Sequence, residues 1–302
     1  MSGITKRAVL AMVAYLVSSG LAAFAEDLPN EYQEVLKSLD RKGDFKDEVL
    51  KVNIPRSDLK ITVAGVPTPT PFGFGGWVAF TKASEGGEVM MGDLVLLQEE
   101  VNPVMSALLD KGIDVTALHN HFFWDDPRVY YMHVHGMGKA ADLARAVKPA
   151  FDLIGHVKAE ATTPMATIGA ALDTAKIAQI VGHAGEQSGA VYKITVGRSD
   201  LAMKDHGATI NARMGLNTWA AFYGTQEDAV VAGDVAMLEN EVTPVLKTLR
   251  KNGIDVVAIH HHMTEEKLMV IFLHYWGRGP AEKLANAFKA TLGELGKGGA
   301  SH

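Results

Sequence analysis

The chain has 302 residues, of which 47% are hydrophobic, 21% charged and 7% aromatic, the balance of a globular protein rather than a disordered or fibrous one. Its 29 Lys and Arg against 35 Asp and Glu leave a formal charge of −6, so there is no basic excess to neutralise nucleic-acid phosphates. It has no Cys, which excludes disulfides, thiolate metal sites, Cys nucleophiles and lipid attachment through Cys, and leaves His, carboxylates, hydroxyls and aromatics to carry any chemistry.

Residues 1–25 read as a secretory signal. Lys6 and Arg7 precede an apolar run from Ala8 to Leu21, and Ala23-Phe24-Ala25 has the small-x-small cleavage pattern. The run is about 14 residues where a spanning helix needs roughly 20. Cleavage near Ala25 removes two positive charges and no acid, giving a mature charge of −8. The expectation is a periplasmic or secreted protein without a membrane anchor.

The rest of the chain repeats itself at an offset of 141 to 142 residues. Arg56-Ser57-Asp58-Leu59 falls on Arg198-Ser199-Asp200-Leu201, and Trp77 with Phe80 falls on Trp219 with Phe222. Gly92 to His121 matches Gly233 to His262 without a gap, with 15 identities in 30 positions. A period this long means duplication of a domain rather than a solenoid. The two copies are expected at 31–155 and 168–297.

In chain order each copy reads as a short helix, several strands, a central helix, a β-hairpin and a last helix. Asn102 and Thr243, each followed by Pro, predict the start of the central helix, and Gly112 and Gly253 its end. Asp114 to His121 and Asp255 to His262 predict strands, with Val129 to His135 and Val270 to Trp276 as their partners across turns near Asp126 and Lys267. Lys139 to Phe151 and Ala281 to Leu292 predict amphipathic helices. The class is α+β: two tandem homologous domains, each a mostly antiparallel sheet with packed helices and a His-bearing hairpin.

Eight of the twelve His fall within 119–135 and 260–274, where uniform scatter would place about one. Residues two apart on a strand share a face, so His119 and His121 point together, as do His133 and His135. His119 is expected opposite His133, and His260 opposite His274, with the imidazoles converging. Glu100 and Glu241, at a strand-to-helix corner in both copies, add a carboxylate to each cluster; Asp93/Asp234 and Asp114/Asp255 are the other matched acids nearby. Three imidazoles and a carboxylate suit Zn²⁺, Mn²⁺ or Fe²⁺.

The expected ligands are therefore His119, His121, His133 and Glu100 in one site and His260, His262, His274 and Glu241 in the other. His135 offers a fourth imidazole where the second copy has Trp276. Strand alternation puts His261 on the opposite face and excludes it. His156, His183, His206 and His302 have no repeated partner and read as solvated. Trp77/Trp219 and Phe80/Phe222 read as core rather than as cleft walls, and Arg56 with Asp58 as a structural ion pair.

The run Gly92-Asp93-Leu94-Val95-Leu96-Leu97, then Glu100-Val101-Asn102-Pro103-Val104, Gly112 to His121 and Met132-His133-Val134-His135-Gly136 resembles the LppY/LpqO family, exported bacterial proteins of uncharacterised function. The resemblance extends over both copies. It implies export and a shared fold and names no reaction; the lipoprotein members carry a Cys that this chain lacks. The reading is an exported duplicated protein that binds a divalent transition metal, with or without turnover. The rival is a non-catalytic periplasmic protein that recognises a small molecule, glycan or protein partner. Metal content separates the two.

Overall fold

The computed structural model describes residues 28–84, 86–156, 172–262 and 268–297. The expected signal segment, the turn at Lys267 and His302 lie outside these residues. Within them no helix is long and apolar enough to cross a membrane.

The first copy runs α1 (Asn30–Leu39), β1 (Asp44–Lys46), β2 (Val49–Pro55), β3 (Ile61–Val63), β4 (Val66–Thr68), β5 (Gly75–Lys82), β6 (Glu88–Leu97), α2 (Gln98–Leu109), β7 (Asp114–His119), β8 (Asp125–Asp126), β9 (Val129–Gly138) and α3 (Ala140–Phe151). The second runs α4 (Thr174–Val181), β10 (Glu186–Ser188), β11 (Val191–Gly197), β12 (Lys204–Asp205), β13 (Ala208–Thr209), β14 (Asn217–Gly224), β15 (Ala229–Met237), α5 (Glu239–Lys251), β16 (Asp255–His261), β17 (Ile271–Gly279) and α6 (Ala281–Leu292). The two six-stranded sheets have the same order, β1-β2-β5-β6-β9-β7 and β10-β11-β14-β15-β17-β16, and their pairings are antiparallel. Duplication and an α+β class are both present.

Period-two alternation explains the layering. On β2, Leu50, Val52 and Ile54 pack with Val78, Phe80, Met90 and Leu94 against α1, α2 and α3, and the second copy builds a matching core under its own helices. The intervening residues point the other way, where the two sheets meet. There Val95 and Tyr131 pack with Ala221, Ala232 and Trp276, and Val49, Ala79 and Met91 with Met203, Met214 and Phe272. Burying both faces of both sheets makes four layers, helices outside and sheets inside.

The central helices begin earlier than Asn102 and Thr243. Their first residues are Gln98 and Glu239, and Pro103 and Pro244 lie inside them. The start is set by Glu100 and Glu241 at the third helical position, which accept from the backbone N–H of Leu97 and Leu238 at 2.8 Å each. The ends fall where Gly112 and Gly253 predict: both have φ +74°, and the next residue's N–H returns to Leu108 or Leu249.

Candidate metal centre

One line of hydrogen-bonded strand partners crosses the first sheet from Asn53 through Trp77, Asp93 and His133 to Ala117. The equivalent line in the second sheet is Thr195, Trp219, Asp234, His274 and Ala258. All face the other copy, so the sheets place two aspartates and their flanking imidazoles against each other. His133 lies opposite Ala117 and His274 opposite Ala258, not opposite His119 and His260, and a one-residue bulge at Thr116, with its equivalent at Val257, shifts the register only beyond these pairs, away from the turns. His119 pairs with Tyr131 and His260 with Phe272. The displacement is two residues, one period of the sheet, so the imidazoles still share a face.

Six imidazoles converge: His119, His121 and His133 from one copy, His260, His262 and His274 from the other. The close contacts between imidazole rings cross between copies, with centroids 3.7 Å apart for His119 and His260, 3.5 Å for His121 and His274, and 3.8 Å for His133 and His262, while His121 stacks on Tyr131 and His262 on Phe272 within each copy. His119 Nε2 lies 3.0 Å from His274 Nε2 and 3.1 Å from His121 Nε2. Thr116 Oγ1 donates to the carbonyl of His262 at 2.5 Å, tying the edge strands β7 and β16 together. One composite cluster replaces the two separate sites expected from the repeat.

The electrostatics follow from burial. Removal from water holds His133 down to about 3 and His260 down to about 4. The same cause, reinforced by neighbouring imidazoles, holds His119, His121, His262 and His274 well below the ordinary value. The rings are therefore neutral, the protonation state a metal requires. Burial also pushes the Asp93 carboxyl up to about 8, and pushes Asp234 well up, with the nearby Asp93 adding to it.

Among the described residues, seven buried ring nitrogens have no hydrogen-bond partner: Nδ1 of His119, His121, His260 and His274, and Nε2 of His133, His260 and His262. Oδ1 of Asp93 and Oδ1 of Asp234 are also without one. Leaving such a group unpaired costs about 1–3 kcal/mol each, so the cluster is costly unless something binds it. Three sets bring one donor atom per residue within 4.8 Å of one another: His119, His260 and His274; His133, His260 and His262; and Asp234, His262 and His274. These groupings could hold a metal ion.

The structure corrects three expected ligands. Glu100 and Glu241 are buried away from the imidazoles, with every donor they meet accounted for. Glu100 accepts from Arg56 at 2.6 and 3.2 Å, from Leu97 N–H at 2.8 Å and from Gly155 N–H at 2.8 Å. Glu241 does the same with Arg198, Leu238 and Gly296. The two arginines are 1% and 4% exposed and also bind Asp58 and Asp200, so Arg56 and Arg198 form structural ion pairs as the sequence suggests. Since these carboxylates neutralise buried guanidinium groups, they have no charge to spare for a metal. His135 sits two residues along β9 from His133, roughly 7 Å away, and its Nε2 lies 2.7 Å from Asp205 Oδ2 of the second copy.

Asp234 stands beside the imidazoles where a glutamate was expected, its Oδ2 4.0 Å from His262 Nε2 and its Oδ1 4.0 Å from His274 Nδ1, and Asp93 is its equivalent in the first copy. Both are matched between copies, and the signal that favours them is strand parity: each lies on the face shared by the imidazoles. His261, His156 and His183 are exposed, as expected. His206 is exposed too, with Asp205 3.8 Å away and the His135 ring 6.4 Å away. Phe80 and Phe222 are core, but Trp77 and Trp219 are half-buried and line a cavity of about 450 Å³ that reaches His121, His262, Asp93 and Asp234. Lys51 and Lys193 line it as well, and only their exact repeat offset would have marked them in the sequence.

No curated protein matches the chain. Among solved structures, a trimeric bacterial microcompartment shell protein, PduB, is 11% identical, with 81% of this chain and 86% of that chain covered and a TM-score of 0.19. EtuB from Clostridium kluyveri is 10% identical, with 84% and 90% covered and a TM-score of 0.21. Likenesses this weak carry no functional argument. A family model described as Domain of Unknown Function (DUF1259) matches residues 33–153 and again 175–294. The chain belongs to that family, as two tandem copies of its domain.

Proposed function

We propose that the protein is an exported metal-binding protein with one centre between its two copies. The centre is formed by His119, His121, His133, His260, His262 and His274, with Asp93 and Asp234 beside them as carboxyls that burial keeps protonated and that would ionise on binding a cation. The observation that carries this reading is the set of seven buried imidazole nitrogens and two carboxyl oxygens without hydrogen-bond partners among the described residues. Neutral imidazole with carboxylate suits Zn²⁺, Mn²⁺ or Fe²⁺, at about 2.0–2.2 Å from each donor for zinc. The leader pattern at residues 1–25 supports a periplasmic or secreted location, and the motifs from Gly92 to Gly136 support kinship with the LppY/LpqO proteins. Since the cavity reaches His121 and His262, a bound ion would have an open side on which to polarise an oxygen-bearing ligand or activate water.

Elemental analysis of protein purified without chelators from the exporting cell tests this. About one or more equivalents of a transition metal per chain are expected, lost to a chelator and regained on adding Zn²⁺, Mn²⁺ or Fe²⁺. Protein that is folded, metal-free and unable to take up any of the three contradicts the proposal and favours a binding module whose imidazoles are hydrated through the cavity. His135→Ala and His261→Ala are expected to leave metal content and affinity unchanged, because one ring is engaged with Asp205 and the other faces solvent. Equilibrium dialysis of both variants checks it.

A further inference from the structure

The cavity beside the imidazoles carries a second kind of chemistry. Lys51 Nζ lies 4.1 Å over the ring of Trp77, and Lys193 Nζ lies 4.0 Å over the ring of Trp219. The pairs are equivalent in the repeat, and each indole reaches across to the other copy. Trp219 closes on Gly73 and Trp77 on Gly215, two positions of positive φ where an added Cβ would meet the indole at 3.5 and 3.2 Å. Four side chains from two copies thus build one chamber around the local pseudo-twofold axis.

Neither ammonium group has a carboxylate within ion-pair distance among the described residues; the indole face is its close partner. A cation over an indole gains about 0.5–2 kcal/mol, which does not replace the hydration lost on burial. Burial accordingly brings both lysines down to about 8, and Lys193 adds to the effect on Lys51. The acids on the cavity wall are Asp93, Asp234 and Glu186. Asp93 is two strands from Lys51, close to 10 Å across the sheet by strand spacing, and Oδ1 of each aspartate remains without a partner. Glu186 is exposed at the edge. Arg213 also lines the wall, with Nη2 engaged by Asp44 at 2.7 Å and Nε buried without a partner.

We propose that this cavity binds a small organic dianion of the dicarboxylate type, one carboxylate at Lys51, the other at Lys193, and the carbon body between Trp77 and Trp219. Two equivalent cations, one on β2 and one on β11 and each seated on its own indole, match a ligand with an anionic group at each end. A volume of about 450 Å³ lies in the range of small-molecule sites. The lysines are separate from the imidazoles, so the site stands whether or not the centre holds a metal.

Isothermal titration of the full mature chain with succinate and with its half-amide succinamate tests the proposal, on chelator-treated and on metal-loaded protein. In both forms succinate is expected to bind at least about tenfold more tightly than succinamate, the effect of one additional charge-assisted contact. The preference should vanish in Lys51→Met/Lys193→Met and persist in Lys51→Arg/Lys193→Arg, which keeps both charges. Circular dichroism verifies that the variants are folded, and the Arg variant carries the test if the Met variant is not. Equal affinity for the two ligands, binding of neither, or a preference that survives loss of both lysines overturns the proposal. Succinate binding seen only in metal-loaded protein assigns the anion to the metal and overturns it as well.

Discussion

Metal-free protein is expected to unfold on mild acidification, by about pH 5, while remaining folded at pH 7. The sign follows from the imidazoles. Their folded pKa values lie below the unfolded value near 6.5, so below that pH the unfolded chain binds protons that the folded chain refuses. Stability therefore falls as pH drops from about 6.5, and the loss continues to about 4 for His260 and about 3 for His133. Each group contributes on the order of 1 kcal/mol per pH unit. Asp93 and Asp234, whose carboxyls burial raises, act in the opposite sense over the same range, so six imidazoles against two carboxyls leave a net loss of about 8 kcal/mol over two units, within a typical stability of 5–15 kcal/mol. Circular dichroism against pH, with and without Zn²⁺, checks this: a bound ion should move the midpoint to lower pH. Metal-free protein that keeps its fold at pH 4 would show that the imidazoles take up protons in place.

Glu100→Ala and Glu241→Ala are each expected to cost about 3–5 kcal/mol of stability, the usual penalty for leaving one member of a buried ion pair without the other. Arg56 and Arg198 would keep Asp58 and Asp200, which are partly exposed, but lose the carboxylate that binds them in the interior. The N–H groups of Leu97 and Gly155, or of Leu238 and Gly296, would lose their acceptor as well. Urea denaturation measures the cost. Metal affinity in variants that still fold should be unchanged; a glutamate ligand would give the opposite pattern, with little loss of stability and weakened binding.

Much of the fold was legible because the chain states it twice. The offset that superposes Arg56 on Arg198 and Trp77 on Trp219 exposes the duplication, and alternation around His119 and His133 brings their imidazoles to one face. The helix starts are hidden in the sequence because Pro103 and Pro244 imitate a first helical residue, whereas the first turn is capped by Glu100 and Glu241 reaching backward from the third position. That same cap hides the glutamates' second duty: pairing with an arginine 43 or 44 residues earlier leaves no local periodic signal. Least legible was the meeting of the copies. Each sheet has one face covered by its own helices, and no local pattern says that the other face is covered by its twin. The composite cluster, the crossing indoles and the paired lysines all follow from that contact.

The most direct test of the central claim is the metal-binding isotherm of His133→Ala and of His274→Ala, each confined to one copy, measured by competition with a chromophoric chelator. If the copies share one centre, either substitution weakens binding of the entire metal complement, by at least about tenfold. If each variant instead loses half of the metal and holds the other half at the parent affinity, the copies bind independently and the composite centre is contradicted.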